Sequence, residues 1–138
     1  AVAAESAKFV APGVNWGFFC STPGVAIGRN MLRKHALEML LVGEPIDARQ
    51  ALAWGLVNRV VPDAELATAT EALARKLAQK PAATVAAGKR AFYQQMEMPL
   101  ERAYALAGEV IASDFAHPEG REGMCAFIEK REPAWKAK

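Results

Sequence analysis

The sequence predicts a chain of the α/β class, in which a mixed first part is followed by an all-helical second part. Residues 1–62 combine short β-prone runs, turns and helical segments, whereas residues 63–138 form helical segments separated by prolines. Alanine accounts for 29 of the 138 residues and aromatic residues for only 8%. Small side chains of this kind favour helices that pack closely against one another. We therefore expect two regions, 1–62 and 63–138.

The first half of the mixed region is predicted to hold one strand and a helical segment. Residues 8–11 form the strand, which ends before Pro12. Residues 21–23, Ser-Thr-Pro, are typical of a helix start with a hydroxyl at the N-cap and proline at the first helical position. One helix or a pair of helices then runs to Val42, and Gly43 takes the left-handed position that follows it.

The second half of the mixed region is predicted to hold a short helix and a second strand. Asp47 and Gln50 have the spacing of a capping box, and the helix that they begin ends at Trp54. Residues 56–61 are rich in β-branched side chains and form the strand, which stops at Pro62.

Four helices are predicted in the region 63–138. Asp63 caps the first, which ends at Lys80, and Pro81 and Pro99 open the next two. The last helix stops at Pro133. Each carries one apolar stripe, and such stripes need partners from this chain or from another subunit.

Composition excludes several classes of function. A net charge of +2 argues against a surface that binds polyanions, so no nucleic-acid partner is expected. Residues 36–42, the most apolar run, include Glu38 and are too short to cross a bilayer, so no membrane span is expected. Cys20 and Cys125 lack the C-x-x-C spacing of a metal knuckle or a redox pair, and reduced thiols are expected.

Local chemistry gives few candidates. His35 and His117 lie far apart, without a carboxylate at metal-ligand spacing, so no metal site is expected. Cys20, beside a helix start, has the position of an activated nucleophile, but no base lies near it in sequence and a packed thiol is favoured. Residues 119–122 are interpreted as a solvated helix start and residues 130–138 as a solvated end.

Four stretches of the chain resemble, in order, motifs of the crotonase (enoyl-CoA hydratase/isomerase) family. Residues 7–18 (AKFVAPGVNWGF) are similar to A-K-F-x-x-P-E-V-x-x-G, and residues 36–48 (ALEMLLVGEPIDA) to A-L-E-x-x-L-T-G-x-x-I-x-A. Residues 51–62 (ALAWGLVNRVVP) are similar to A-x-x-x-G-L-V-N-x-V-V-P, and residues 122–133 (EGMCAFIEKREP) to E-G-x-x-A-F-x-E-K-R-x-P.

This resemblance implies the last part of a ClpP/crotonase-like ββα spiral over 1–62 and a C-terminal helical trimerisation region over 63–138. It implies acyl-CoA thioesters as ligands, coenzyme A entering as part of the substrate with no separate cofactor, and a homotrimer or hexamer. The match covers only the second half of the family's usual chain. The first half would hold most of the spiral, both backbone N–H groups of the oxyanion hole and one catalytic glutamate.

The chain departs from the family pattern at one catalytic position. The second catalytic glutamate of the family follows the proline of the first motif, where this chain has Gly13. Glycine cannot transfer a proton, so ordinary hydratase activity does not follow from the motif. The residues around Gly13 look most like a divergent branch of the family. If the missing carboxylate alone suppresses hydration, Gly13→Glu in a complete chain should raise crotonyl-CoA hydration, provided that an upstream partner acid is present and the site has room.

The resemblance also implies a set of substrate-binding residues, whereas no catalytic residue is assigned. Gly13, Phe19, Cys20 and Ser21 would shape the acyl site. Phe127 and Lys130 occupy the positions of the phenylalanine and lysine that lie near the adenine and the 3′-phosphate of coenzyme A, often of a neighbouring subunit's ligand. An aromatic face stacks on a purine and an ammonium pairs with a phosphate. The alternative is a core phenylalanine beside a surface lysine.

Three functions stay open at this stage. The first is an enoyl-CoA hydratase or isomerase that stabilises an enolate in an oxyanion hole. The second is a non-catalytic relative that binds acyl-CoA or assembles with active members, and the third is a helical packing fragment without a ligand. The start without Met suggests a processed or truncated chain. The cytoplasm is the expected location, with the mitochondrial matrix as the alternative.

Overall fold

The computed structural model describes residues 1–137, and the chain divides by its packing into two compact units, Ala1–Leu73 and Ala74–Lys138. The first unit contains four short strands and the helices between them, and the second contains helices. The boundary between residues 62 and 63 stays a prediction about domain organisation.

The elements of the first unit are short. They are β1 Val2–Ala4, β2 Lys8–Phe9, α1 Ser21–Asn30, α2 Arg33–Val42, β3 Ile46–Asp47, α3 Ala48–Ala53 and β4 Arg59–Val61, followed by α4 Leu66–Ala78, which spans the division between the units. Single 3₁₀ turns occupy Pro12–Trp16 and Asp63–Glu65.

The strands pair in two separate two-stranded sheets. β1 lies parallel to β4 with Ala3 opposite Val60, and β2 lies antiparallel to β3 with Phe9 opposite Ile46. The two predicted strands are thus present but shorter than 8–11 and 56–61. The sequence did not indicate β1 or β3, because two or three residues carry too little periodicity to mark a strand.

Two apolar clusters hold the first unit together. One joins α1 and α2 to the turn before them, and its buried residues are Ala11, Met31, Ala36, Met39 and Leu40. The other lies under α3 and the β1–β4 pair, and its buried residues are Ala3, Ala48, Ala51 and Val57. Alanine at the contact points allows the backbones to approach closely, as the composition predicts.

The helix caps confirm some expectations and correct others. The amide of Gln50 donates to Asp47 Oδ1 over 2.7 Å, so Asp47 caps α3 as predicted. Gly43 is left-handed after α2, with φ of 69°. Helix α1, however, begins at Ser21 after Cys20, so the predicted hydroxyl cap is wrong.

Asp63 is likewise not a helix cap, because its carboxylate has a distant partner. Its Oδ1 accepts from the amide of Ser6 over 3.0 Å, and its Oδ2 accepts from the Ser6 hydroxyl. These hydrogen bonds lower the pKa of Asp63 below its ordinary value. The residue therefore ties the end of β1 to the segment after β4, and α4 begins three residues later, at Leu66.

The second unit is a group of three helices after α4. They are α5 Ala82–Gln95, α6 Leu100–Ala116 and α7 Pro118–Glu129. Pro81 and Pro99 immediately precede α5 and α6, as predicted. Helix α7 ends at Glu129, four residues before the proline that was expected to stop it.

Candidate functional site

The predicted acyl-site residues of the first unit lie in one reversed turn. Pro12 begins a 3₁₀ turn, and Gly17 adopts a left-handed φ of 81° that sends the chain back. The amide of Phe18 then donates to the carbonyl oxygen of Gly13 over 3.2 Å. As a result, the amide of Gly13 donates to Cys20 Sγ over 3.2 Å. The structure thus places Gly13 and Cys20 in direct contact.

Position 13 has no space for any side chain. Gly13 is buried, and a Cβ atom built on it would lie 2.7 Å from Cys20 Sγ and 2.7 Å from the carbonyl oxygen of Phe18. Both distances are far below van der Waals contact, and a backbone oxygen cannot rotate away as a side chain can. The room that Gly13→Glu would need is therefore absent, so one of the two conditions on which that substitution was expected to raise hydration is not met.

An apolar groove of about 450 Å³ lies between α1 and α2. Two of the predicted site residues, Phe19 and Ser21, stand at its edge. Its lining residues are Phe19, Ser21, Gly24, Val25, Gly28, Arg33, Ala36, Leu37 and Leu40. Gly24 of α1 faces Leu40 of α2, since a Cβ atom on Gly24 would lie 3.5 Å from Leu40 Cδ1, an ordinary van der Waals contact.

The groove has the chemistry of a binding surface rather than of a proton-transfer site. Its lining includes one cation, Arg33, and no carboxylate. The Ser21 hydroxyl donates to the carbonyl oxygen of Phe19 over 3.2 Å and is therefore already engaged. Cys20 is half-buried and accepts the hydrogen bond from Gly13, as expected of a packed thiol rather than an activated nucleophile.

The two residues predicted at the coenzyme A end lie in the second unit, at the end of α7. Phe127 is 81% exposed and is therefore not part of the core of its own unit. Lys130 is not helical: it follows the last helical residue with φ of 54° and ψ of 36°. The expectation that Phe127 and Lys130 share a face through helical spacing therefore does not hold, because the helix ends between them.

The end of α7 is closed by the two hydrogen bonds of a Schellman motif. The amide of Lys130 donates to Phe127 O over 3.3 Å, and that of Arg131 donates to Ala126 O over 3.0 Å. Glycine usually occupies the left-handed position of this motif, because a Cβ atom there is unfavourable. Lys130 is the one non-glycine residue with positive φ in the part of the chain that the structure describes.

A carboxylate–guanidinium pair joins the tail to α7. Arg131 Nη1 and Nη2 lie 2.6 and 3.0 Å from the two oxygens of Glu122, and its Nε lies 2.5 Å from Glu129. The hydrogen bond from Arg131, with a second from the amide of Ala134, lowers the pKa of Glu122 to about 2. The same carboxylates raise the pKa of Arg131 above its ordinary value.

Sequence reasoning missed this pair. It treated Glu122 as part of a solvated helix start and Arg131 as part of a solvated end. Helix α7 does begin at Pro118, and both side chains keep contact with solvent, but the ion pair between them was not predicted. The two residues are nine positions apart, so no helical spacing links them. They meet because the chain turns back at Lys130. This turn is produced by the left-handed backbone of Lys130, which the sequence pattern does not indicate.

The histidines have local structural contacts. His35 meets the ring of Trp54 edge-on, with centroids 5.0 Å apart. His117 Nδ1 accepts from the amide of Glu119 over 3.3 Å and so caps α7. Among residues 1–137 no three His, Cys, Asp or Glu side chains are grouped as metal ligands. Nor does any helix within those residues have the length and apolarity to span a membrane.

Comparison with known proteins decides the family. The sequence profile described as enoyl-CoA hydratase/isomerase matches residues 1–138. The chain belongs to this family. The crotonase resemblance of the four motifs is thereby confirmed.

Individual relatives of the family also identify the branch. Enoyl-CoA hydratase domain-containing protein 3, mitochondrial, of Xenopus laevis is 50% identical over 135 residues, which cover 98% of this chain and 46% of the relative. The crystal structure of the human protein of the same name matches with a TM-score of 0.92 and 48% identity, over 98% of this chain and 53% of that one. The divergent branch that the residues around Gly13 predict is thus that of enoyl-CoA hydratase domain-containing protein 3.

A solved bacterial structure supports the same fold. The enoyl-CoA hydratase of Mycobacterium smegmatis matches with a TM-score of 0.94 and 50% identity, over 98% of this chain and 52% of that one. The α/β class and a crotonase-like fold are therefore confirmed. The family member described here spans about half the length of these relatives.

Proposed function

We propose that the protein binds an acyl-CoA thioester and hydrates or isomerises an enoyl-CoA. The apolar groove between α1 and α2, in a chain of this family, carries the proposal. Its lining of aliphatic and glycine residues suits an acyl chain, and Phe19 and Ser21 stand where the family resemblance expects acyl-site residues. Coenzyme A enters as part of the substrate, and the proposal includes no separate cofactor.

The proton chemistry of this proposal depends on groups outside the groove. Hydration and isomerisation both pass through an enolate-like state, which two backbone N–H groups would stabilise by donating to the thioester oxygen. The family resemblance places those groups, and one glutamate, in the first half of the family's chain. Gly13 supplies no carboxylate, so that glutamate would move the proton alone.

A groove-filling substitution tests where the acyl chain binds. Gly28 lines the groove, and a Cβ atom on it meets nothing within 4 Å, so Gly28→Leu places a side chain at the groove from an open backbone position. We expect about a tenfold loss of affinity for octanoyl-CoA, equivalent to about 1.4 kcal/mol, and no change for coenzyme A without an acyl group. Calorimetric titration of the protein at its natural full length measures both.

A matched control separates the effect of filling the groove from the effect of a more stable helix. Gly88 lies within α5, and its Cβ position is equally open. Gly88→Leu therefore gives the same gain in helix propensity, roughly 1 kcal/mol, without entering the groove. Equal octanoyl-CoA affinities of the Gly28→Leu and Gly88→Leu variants would reject the groove as the acyl site.

The closed surroundings of Gly13 favour a second candidate, a non-catalytic relative that binds acyl-CoA or assembles with active members. A side chain is excluded there by a backbone carbonyl, so this part of the site is built without a catalytic acid. The two candidates differ in turnover. Binding of crotonyl-CoA together with its hydration or isomerisation supports the enzyme, whereas binding without either reaction supports the second candidate.

Phe127 and Lys130 of the second unit are proposed to contact the adenine and 3′-phosphate of coenzyme A, which the family resemblance often assigns to a neighbouring subunit's ligand. An exposed Phe127 ring suits stacking on adenine, and the ammonium of Lys130 suits the 3′-phosphate. For the fold, the proposal includes the last part of a ββα spiral and a helical region that forms trimers or hexamers. The Xenopus relative is named mitochondrial, which supports the mitochondrial matrix for this protein rather than the cytoplasm first expected.

A further inference from the structure

Two adjacent cations at the end of α7 have opposite environments. The guanidinium of Arg131 donates to both oxygens of Glu122, to Glu129 and, over 3.2 Å, to the carbonyl oxygen of Glu132. Its donors are therefore largely occupied by protein oxygens. The ammonium of Lys130, on an exposed residue, has no hydrogen bond or ion pair with any residue in the described chain. Of the two, Lys130 is the cation available to a ligand.

The backbone that carries this ammonium is held in an unfavourable conformation. A left-handed L-residue costs roughly 1 kcal/mol, and such a residue persists only where its surroundings fix it. Here the residues on both sides are held: Glu129 accepts from Arg131, and Arg131 is fixed on Glu122. Lys130 thus lies in the turn between the end of α7 and Arg131, which the ion pair with Glu122 holds against the helix.

The segment after Lys130 is attached to the same helix by two more contacts. The amide of Ala134 donates to Glu122 Oε1 over 2.8 Å. The ring of Trp135 lies against Gly123, where an added Cβ atom would be 3.0 Å from the ring. Glu122 is therefore the point at which the returning chain is fixed, and removing its charge weakens the hydrogen bonds that it accepts from both Arg131 and Ala134.

We propose that Glu122 and Arg131 are positioning residues, which fix the left-handed backbone of Lys130 so that its ammonium is presented to the 3′-phosphate of coenzyme A. This inference rests on the proposed function, since it takes the phosphate as the partner of Lys130. Arg131 itself does not contact the phosphate. Its role is to hold the turn and to neutralise the charges of the Glu122 and Glu129 carboxylates.

The direction in which one substitution changes the affinity for coenzyme A distinguishes positioning from simple electrostatics. Glu122→Gln removes a negative charge near the phosphate, so electrostatics alone predicts tighter binding of coenzyme A. Positioning predicts weaker binding, by about threefold for an exposed contact. Arg131→Lys keeps the charge but loses the fork geometry, and positioning predicts the same loss. Dephospho-coenzyme A, which lacks the 3′-phosphate, should bind both variants as it binds the parent.

A second ion pair of the chain provides matched controls. Arg49 and Glu5 lie 3.6 Å apart on the surface of the first unit. Glu5→Gln and Arg49→Lys repeat the two chemical changes at residues of the first unit, and we expect neither to alter the ratio of the two affinities. Titrations use the protein at its natural full length, with coenzyme A and dephospho-coenzyme A as the probes.

The outcomes distinguish the inference from the function on which it rests. Loss of coenzyme A affinity in both the Glu122→Gln and the Arg131→Lys variants, with dephospho-coenzyme A binding unchanged, supports positioning. Equal losses for both ligands, or tighter coenzyme A binding by Glu122→Gln, overturn it and leave a structural or electrostatic role. If Lys130→Ala itself does not change the ratio, the proposed phosphate contact fails, and the positioning role fails with it.

Discussion

The backbone amide of Gly13 donates a hydrogen bond to Cys20 Sγ over 3.2 Å, and this contact closes the place where the family carries a catalytic glutamate. The missing carboxylate is thus accompanied by a turn that leaves no space for a side chain. Cys20 and the carbonyl of Phe18 occupy the space that a side chain at position 13 would need. Restoring the acid therefore requires a different turn, and one substitution does not provide it.

The first prediction concerns the space at Gly13. Because a Cβ atom there would lie 2.7 Å from a backbone oxygen, Gly13→Ala should lower the free energy of unfolding by about 1–3 kcal/mol. Gly13→Glu should be at least as destabilising and should not gain crotonyl-CoA hydration. Chemical denaturation and a hydration assay measure the two effects. A stable Gly13→Glu variant that hydrates crotonyl-CoA would contradict the closed turn.

The sequence predicted the helices and the family better than the contacts between distant segments. The cap of α3 was predicted because Asp47 and Gln50 are three residues apart, and their hydrogen bond is local. Asp63 has the same type of side chain before a helix, yet it bonds to Ser6, which lies far away in sequence. A local pattern cannot show such a competing partner.

The candidate site follows the same rule. The four motifs identified Gly13, Phe127 and Lys130 by their positions, but they gave no sign that Gly13 is enclosed. Helical spacing suggested that Phe127 and Lys130 share a face, whereas Lys130 adopts the left-handed turn that ends the helix. The turn depends on Arg131 reaching back to Glu122, a tertiary contact that no periodicity records.

The second prediction concerns pH. Arg131 lowers the pKa of Glu122 from 4.5 to about 2. Because the folded pKa is below the unfolded one, the charged pair stabilises the fold above pH 4.5, and this contribution is lost as the pH falls towards 2. Thermal denaturation between those values should show a smaller loss of stability for Glu122→Gln than for the parent. The difference should shrink in high salt, because the pair is exposed. Parallel curves for the two proteins would contradict it.

The third prediction concerns assembly. Helix α6 exposes large apolar side chains, among them Leu100, Tyr104, Ile111 and Phe115, each more than half exposed. A surface of this kind is typical of an interface, so we expect a trimer or hexamer of the protein at its natural full length. Sedimentation measures the mass, and Ile111→Glu should shift it towards the monomer. A folded, monodisperse parent monomer at micromolar concentration would count against assembly.

The fourth prediction separates the two residues of the coenzyme A end. Lys130→Ala removes one charge-assisted contact, worth about 1.5–3 kcal/mol if desolvated and less if exposed. It should weaken coenzyme A binding far more than dephospho-coenzyme A binding. Phe127→Ala should weaken both about equally, because stacking involves the adenine and not the phosphate. Calorimetric titration of the two variants with each of the two ligands checks this. Equal losses of affinity for both ligands in Lys130→Ala would show that Lys130 does not contact the 3′-phosphate.

The last prediction sets stability against binding at one residue. Lys130 has a φ of 54°, a conformation that glycine adopts without the Cβ penalty, so Lys130→Gly should raise the free energy of unfolding by about 1 kcal/mol relative to Lys130→Ala. Both variants lack the ammonium and should lose the same preference for coenzyme A over dephospho-coenzyme A. If Lys130→Gly is the more stable variant and still lacks this preference, the lysine serves ligand binding rather than stability of the fold. Equal stability of the two variants, measured by chemical denaturation, would instead mean that the backbone at Lys130 is not strained.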